Sequence, residues 1–437
     1  MDLRGRRITL MGLGRHGGGV AAARYLAQAG ARVTISDLAG ADALADSLAS
    51  LADVPIARAA LGGHDEADFR GAELLVVNPA VPLGHPLVAL ARESGARLTS
   101  EIELFLEACP ARIIGVTGTN GKSTTAAMLA AMLERGTDRQ SAGRRAWLGG
   151  NIGRSLLPHL ADISADDWVV LELSSFQLAH LSAATRMPDI AVVTNCSANH
   201  LDWHGSYERY VAAKQRIVRE QGPKARAVLN VRDPELKGWV NLAGGRAIPP
   251  WPLDELPELP VPGLHNRHNA ACAAAAARAA GCSDESVHRA LTEFRGLEHR
   301  LELVAQKVGR LFFNDSKSTT PESTRAALAA LAAPAWLLAG GQDKGACFRG
   351  LGQSIVQKAR GAAFFGRARE SLRSALGAQD PAFPVATTER MADALDWCWS
   401  RSQPGDAILL SPACASYDQF QDFQDRGRQF AKLVRAL

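Results

Sequence analysis

The stretch that most constrains this chain is residues 113–125, IIGVTGTNGKSTT. A short apolar run, Ile113, Ile114 and Val116, enters a loop closed by Gly121, Lys122 and Ser123, and an alanine-rich helical pattern follows from Thr124. Strand, loop and helix in that order let backbone N–H groups at a helix N-terminus cradle a phosphate. Gly118 and Gly121 let the backbone turn those groups inward, Lys122 reaches the outer phosphates, and the Ser123 hydroxyl suits Mg²⁺. The loop is a variant of the usual phosphate loop: Val116 stands where a glycine is expected, with Gly115 and Gly118 nearby.

At 437 residues the length suits roughly three domains of ordinary size. The balance of 49 basic against 45 acidic residues leaves a net charge of +4. That is too even for a nucleic-acid surface and mild enough to suit small anionic substrates. Seven cysteines without a Cys-x-x-Cys pair, and charged residues directly after Met1, lead us to expect a reduced, cytoplasmic chain. The alanine-rich run at 270–280 is too short to cross a bilayer, so no membrane partner is expected. Only nine of the 49 basic residues are lysine, and Lys122, Lys214, Lys317 and Lys344 all fall at motif positions. Lysine offers a compact charge and an amine that can lose its proton.

Residues 1–107 read as a small doubly wound α/β domain. A strand at 8–11 leads into Gly12-x-Gly14-x-x-Gly17, a helix at about 20–29, and a second strand at 33–36 that ends at Asp37. A third strand at 73–77 precedes a proline-rich turn at 78–86. The glycines specify a phosphate-bearing ligand at a helix N-terminus more firmly than which ligand, and a dinucleotide or mere helix–strand packing stay open.

Residues 108–297 hold the phosphate loop and, after it, Gly149-Gly150-Asn151-Ile152-Gly153, read as a turn. A strand at 169–171 delivers Glu172, the usual place for a carboxylate that meets Mg²⁺ directly or through water. A strand at 190–194 runs on to His200, where a neutral imidazole could ligate a metal or touch an anion, and a further strand is expected at 228–230. The helical pattern at 207–219 carries Lys214 between small residues; on its own it reads as a surface lysine, although a buried amine there could take up CO₂. Asn266 and Asn269, three apart near the start of the alanine-rich helix, suit hydrogen bonds to a purine edge or ribose, or equally helix capping.

In residues 298–437, strands at 311–314, 336–339, 363–365 and 407–410 are expected. Three of them end in the polar clusters 315–321, 340–344 and 411–420. Strand ends of a doubly wound sheet share one edge, so these clusters gather there, with two lysines and several hydroxyls that suit an amino-acid carboxylate.

Taken together, GTNGKST at 118–124, GGNIG at 149–153, ELSSFQL at 172–178, HLDWHGS at 200–206, HNRHN at 265–269, EHR at 298–300, NDSKST at 314–319 and SPACASYDQF at 411–420 resemble the Mur ligase family. These are the ATP-dependent amino-acid ligases of bacterial peptidoglycan synthesis. Lys344 and the last motif resemble the branch that adds D-glutamate. The resemblance implies three α/β domains, each a mostly parallel doubly wound sheet. They are a Rossmann-like UDP-sugar domain (1–107), a P-loop ATPase-like domain (108–297) and a Rossmann-like amino-acid domain (298–437). It implies a monomer with UDP-N-acetylmuramoyl-L-alanine and D-glutamate as substrates, and ATP and Mg²⁺ as cofactors.

By the same resemblance, ATP is held by Gly118, Thr119, Asn120, Gly121, Lys122, Ser123, Thr124, Asn266, Asn269, Arg300 and Asp315. Mg²⁺ is held by Ser123, Glu172, His200 and a carbamylated Lys214. Lys122, Glu172, His200, Lys214 and Lys317 serve catalysis. Gly14, Arg15, His16, Asp37, Asn151 and His200 meet the UDP-sugar, and Thr319, Lys344, Ser416, Tyr417 and Phe423 meet D-glutamate. The chain departs from the family pattern at Leu38 and Ala39, where polar or basic residues are usual, at Asn78, where a serine is usual, at Asn199, where an aspartate is usual, and in the 342–344 loop, whose aspartate is shifted by one position. A sister ligase acting on another carboxylate, a folate-type one included, a non-catalytic nucleotide-binding relative and a dehydrogenase are the rival readings. The Gly12-x-Gly14 turn argues against the folate type and the full set of metal and lysine positions against the non-catalytic relative; the dehydrogenase rests on the first glycine fingerprint alone.

Overall fold

The computed structural model describes residues 2–15, 17–136, 144–153, 155–343 and 345–437. His16 and Lys344, both expected at substrate sites, lie outside the described residues. Short runs rich in Val, Ile and Leu, buried at nearly every position, form the central strands, as strands covered on both faces must. Leu74–Val77 and Ile190–Val193 are buried throughout, and Arg112–Thr117 after its first residue.

The first sheet comprises β1 (Arg7–Met11), β2 (Arg32–Asp37), β3 (Arg58–Leu61), β4 (Leu74–Val77) and β5 (Arg97–Thr99), all parallel, in the order β3-β2-β1-β4-β5. The second comprises β6 (Arg112–Thr117), β7 (Ala146–Gly150), β8 (Trp168–Glu172), β9 (Ile190–Val193), β10 (Arg226–Leu229) and β11 (Arg246–Ile248). It too is parallel, in the order β11-β10-β9-β6-β8-β7. The third comprises β12 (Glu302–Lys307), β13 (Arg310–Asn314), β14 (Ala335–Gly340), β15 (Ala359–Phe365), β16 (Val385–Thr387) and β17 (Ala407–Ala413). Its order is β12-β13-β17-β14-β15-β16, parallel except for the antiparallel edge strand β12. Three mostly parallel α/β sheets are the architecture expected from the sequence.

The chain forms two compact units, residues 1–257 with 268–291, and 258–267 with 292–437. The first two sheets share one unit and one apolar cluster, which runs from Leu10, Ile35 and Val76 through Phe105 to Val169 and Ile217. The expected boundary near 107 falls inside the helix Glu101–Ala108, whose Phe105 and Leu106 are buried in that cluster. One local expectation is corrected: Gly149 and Gly150 end a strand rather than form a turn, because they pair with Leu171 and Glu172 of β8. The alanine-rich helix begins at Leu264, so Asn266 and Asn269 lie in its first two turns, near its start as expected.

Helix Gly18–Gln28 lies close against the end of β1. A side chain at Gly19 would place its Cβ 2.1 Å from the carbonyl oxygen of Leu13, whereas one at Gly18 would meet nothing within 4 Å. Gly19→Ala is therefore expected to cost about 1–3 kcal/mol by overpacking, read as a lower urea midpoint. Gly18→Ala should be neutral or slightly stabilising; equal effects of the two would remove the close-approach account.

Candidate functional site

The phosphate loop joins β6 to the helix Lys122–Arg135, and Gly121 caps that helix in the left-handed region at φ 81°. A Cβ there would strike Asn269 Oδ1 at 2.2 Å, so Asn269 sits against the loop. The loop is fastened from the segment after β9. Thr119 N donates to Asn195 O (3.0 Å), Asn120 N to Asn195 Oδ1 (2.8 Å), and Thr194 Oγ1 to Asn120 O (2.6 Å). The Thr119 hydroxyl pairs with Tyr210 OH at 2.8 Å. Lys122 folds back, its Nζ donating to the carbonyls of Gly118 (3.0 Å) and Thr119 (2.9 Å). Thr124 is half-buried in the first turn of the helix.

Three residues from distant motifs converge on this loop. Glu172, at the end of β8 and buried, accepts from Ser123 Oγ (2.5 Å) and from Asn151 Nδ2 (2.9 Å). Asn151, which the resemblance places on the UDP-sugar, is thus anchored by one of its amide N–H groups beside the loop. Lys214 overturns its reading as a surface lysine, being only 1 % exposed. Helix Tyr207–Arg219 turns it inward, and its Nζ donates to Gly118 O (2.8 Å) and Thr117 Oγ1 (3.3 Å), 4.9 Å from the centre of the Tyr210 ring. Burial, then the charge of Lys122, pulls its pKa well below that of an ordinary amine. His200 takes a left-handed backbone at φ 53°, its N–H held by Asn199 Oδ1 (2.9 Å) and its ring 4.7 Å from that of Phe176. Desolvation lowers its pKa, with Lys122 and Lys214 adding to the effect, which favours a neutral imidazole.

In the first sheet, Gly14 N donates to Asp37 Oδ2 (3.1 Å), and Asp37 Oδ1 accepts from Ala39 N (2.8 Å), so the glycine turn and the acidic strand end do meet. Arg15 beside them is exposed. His64, not singled out from sequence, shares a 2.7 Å hydrogen bond with the Ser36 hydroxyl.

In the third sheet, Asp315 is buried and accepts from Leu301 N (3.0 Å) and Ser411 Oγ (2.7 Å); burial pushes its pKa up to about 6. Arg300 lies close enough to oppose that rise. Lys317 Nζ lies 5.2 Å from the ring centre of Phe423, which opens the last helix, Phe423–Ala436. Thr319 and Tyr417 are exposed and Ser416 is buried. Asn266 Nδ2 donates to Pro262 O (2.6 Å), the carbonyl four residues back, just ahead of the helix. Sequence reasoning missed Arg426, fully buried where β13, β14 and β17 end. Its guanidinium donates to Ser316 Oγ (3.0 Å), Ser316 O (2.9 Å) and Cys414 O (3.1 Å), and burial lowers its pKa to about 10. One arginine on an amphipathic helix carries no signal that it points inward.

Glu101 was missed as well. It opens the helix Glu101–Ala108 and its carboxyl accepts from the hydroxyl of Ser155, four residues beyond Asn151. Burial pushes its pKa up to about 7 from an ordinary 4.5. A carboxyl raised in the folded state contributes stability that is complete below pH 4.5 and lost as pH rises through about 7. Glu101→Gln keeps the acceptor and removes that loss. The urea midpoint of the variant relative to the parent should rise between pH 5 and pH 8, on a scale of about 1.4 kcal/mol per unit of raised pKa. A pH-independent difference would refute the assignment.

The chain matches the descriptions of the Mur ligase MurD-like N-terminal domain over residues 6–100, the Mur ligase middle domain over 116–249 and the Mur ligase glutamate ligase domain over 299–414. It is 36 % identical to a UDP-N-acetylmuramoylalanine–D-glutamate ligase of Acidobacterium capsulatum, over all of this chain and 97 % of the relative. It is 38 % identical to the ligase of the same name from a Roseiflexus species, over the whole of both chains. In fold it is similar to the UDP-N-acetylmuramate-alanine ligase MurC of Thermotoga maritima, with a TM-score of 0.62, 19 % identity and 99 % of both chains covered. With its phosphate loop, strand-end carboxylate and three sheets matched end to end by such relatives, this chain belongs to the Mur ligase family.

Proposed function

We propose that this chain uses ATP to join D-glutamate to the free carboxyl group of UDP-N-acetylmuramoyl-L-alanine, a cytoplasmic step of peptidoglycan precursor synthesis carried out by a monomer. The observation that carries the mechanism is the buried Lys214 amine, set beside the phosphate loop with Glu172 as a neighbouring charge. The two full-length relatives of that name support the substrate pair.

The acceptor carboxylate attacks the terminal phosphorus of ATP, giving an acyl phosphate and ADP. The amine of D-glutamate then adds to the acyl carbon, and the tetrahedral intermediate collapses to the amide and phosphate. Phosphoryl transfer asks the protein mainly for position and charge. Lys122 and the loop amides from Gly118 to Thr124 neutralise and orient the phosphates. Asn269 borders that loop, and Asn266, Arg300 and Asp315 would complete the nucleotide contacts, with Lys317 on the transferred group. Gly14, Arg15, His16, Asp37, Asn151 and His200 would hold the UDP-sugar. Thr319, Lys344, Ser416, Tyr417 and Phe423 would hold D-glutamate.

Among the described residues no three of His, Cys, Asp and Glu cluster as a ready metal site. Mg²⁺ needs no such cage, since it binds through one or two carboxylates together with substrate phosphates. The Ser123 hydroxyl on Glu172 supplies hard oxygen donors, so the residues fit the ion. Ser123, Glu172, His200 and a carbamate on Lys214 would hold Mg²⁺, which supplies charge neutralisation between the phosphates and the acyl group. Burial biases the Lys214 amine toward its neutral form, the form that adds to CO₂ with loss of one proton and so becomes a second carboxylate.

Phosphate release from ATP and UDP-N-acetylmuramoyl-L-alanine should depend on D-glutamate and not on L-glutamate or L-alanine. Preference for another amine would overturn the substrate. Lys214→Ala should reduce release by about 100-fold or more, the scale for losing a stabiliser of developing charge, with partial rescue by formate or acetate. Near-parental activity in that variant would remove the carbamate.

A further inference from the structure

The short helix Ser175–His180 ends in a buried histidine that the mechanism does not use. Its Nδ1 lies 2.7 Å from Phe176 O and its Nε2 lies 2.9 Å from Val81 O. An imidazole between two carbonyls donates to one of them in either neutral tautomer and to both when protonated. Beside it, the indole N–H of Trp203 donates to Ala80 O at 3.2 Å, with the two rings 5.7 Å apart. Two side chains from the second sheet's flank thus take consecutive carbonyls in the turn that follows β4 of the first sheet.

That turn is tied at its other end to the glycine fingerprint. Asn78 Nδ2 donates to Gly12 O (3.1 Å), Asn78 Oδ1 accepts from Ala80 N (3.0 Å), and Val81 N donates to Asn78 O (2.9 Å). The approach is close enough that a Cβ on Gly12 would lie 2.8 Å from that of Asn78. On the opposite side, the ring of Phe176 lies 4.9 Å from Trp203 and 4.7 Å from His200. The anchoring helix is itself fixed: Ser174 and Gln177 close a capping box, and Arg216 holds the carbonyls of Leu178 (2.8 Å) and Leu181 (2.7 Å).

We propose that His180 and Trp203 are positioning residues for the acceptor substrate. They clamp the 78–81 turn, and through Asn78 the Gly12–Gly14 turn, in fixed register with Phe176 and His200. A long molecule whose diphosphate rests on the first sheet must present its far carboxylate at the phosphate loop of the second, and a shift of about 1 Å between the two can cost a hundredfold in rate. The clamp sets that span. It rests on the proposed function in that the acceptor bridges the two sheets.

The test compares His180→Leu, Trp203→Phe, which keeps a ring and removes the N–H, and His180→Gln, which keeps a donor. KM for UDP-N-acetylmuramoyl-L-alanine should rise about tenfold or more in the first two while KM for ATP stays within twofold, and His180→Gln should restore most of the loss. Calorimetric binding of UDP, which needs no turnover, should weaken in the same order. Amide exchange at residues 78–83 should quicken in both loss-of-donor variants. Should His180→Leu fail to fold, Trp203→Phe carries the comparison. Equal rises in both KM values, or unchanged acceptor KM and UDP binding, would overturn the clamp. A parent protein that binds UDP yet shows no D-glutamate-dependent release would sink the proposed reaction, with UDP affinity and exchange still reading the clamp.

Discussion

The contact on which the phosphate loop depends is the hydrogen bond from the Lys214 amine to the Gly118 carbonyl, made out of reach of bulk water. A lysine there stays charged only at high cost, so the site holds an amine biased toward its neutral form. The same helix brings Tyr210 to the Thr119 hydroxyl, so one element fixes the loop from beneath and delivers the amine to it. The loop's other fastenings come from the segment that follows β9. Loop, lysine and strand-end carboxylate are therefore one rigid object before any ligand arrives, and that preorganisation makes electrostatic stabilisation of a transferring phosphoryl group effective.

How far the fold was legible follows from burial. The strands read correctly from sequence, β1, β2, β4, β6, β8, β9, β10, β13, β14, β15 and β17, all lie inside their sheets. The six that were not read, β3, β5, β7, β11, β12 and β16, are the two edges of each of the three sheets. An interior strand is covered on both faces and spells a run of apolar residues. An edge strand is short and half-exposed, as in Arg246–Ile248 and Val385–Thr387, and its residues look like loop.

The candidate site was legible for a related reason. In parallel sheets the functional groups follow the C-terminal ends of interior strands, so Lys122, Glu172 and Asp315 could be placed by reading what comes after an apolar run. Residues that reach the site from a helix face or a loop carry no such marker. Lys214 and Arg426 are basic residues on amphipathic helices, where solvent exposure is the ordinary expectation, and only tertiary packing turns them inward. Glu101, His180 and Asn151 act across elements far apart in sequence, and no local pattern records a partner 54, 99 or 21 residues away.

The departures from the family pattern also acquire a physical sense. Asn199 lacks the charge of an aspartate, yet its amide oxygen still accepts the His200 N–H and so supports the left-handed turn that sets the ring over Phe176. Asn78 reaches further than a serine would. One end of its amide holds Gly12 and the other holds Ala80, so a single side chain spans the fingerprint and the turn that His180 and Trp203 grip. The Asn78 side chain and the His180 and Trp203 bonds form one continuous set of contacts, whereas a short side chain at residue 78 would remove the bond to the Gly12 carbonyl and leave the turn held there by the Asn78 backbone N–H on Met11 O alone. Leu38, by contrast, is 69 % exposed beside Asp37, whose carboxylate holds the Gly14 N–H, and close in sequence to Ser36, which is hydrogen-bonded to His64.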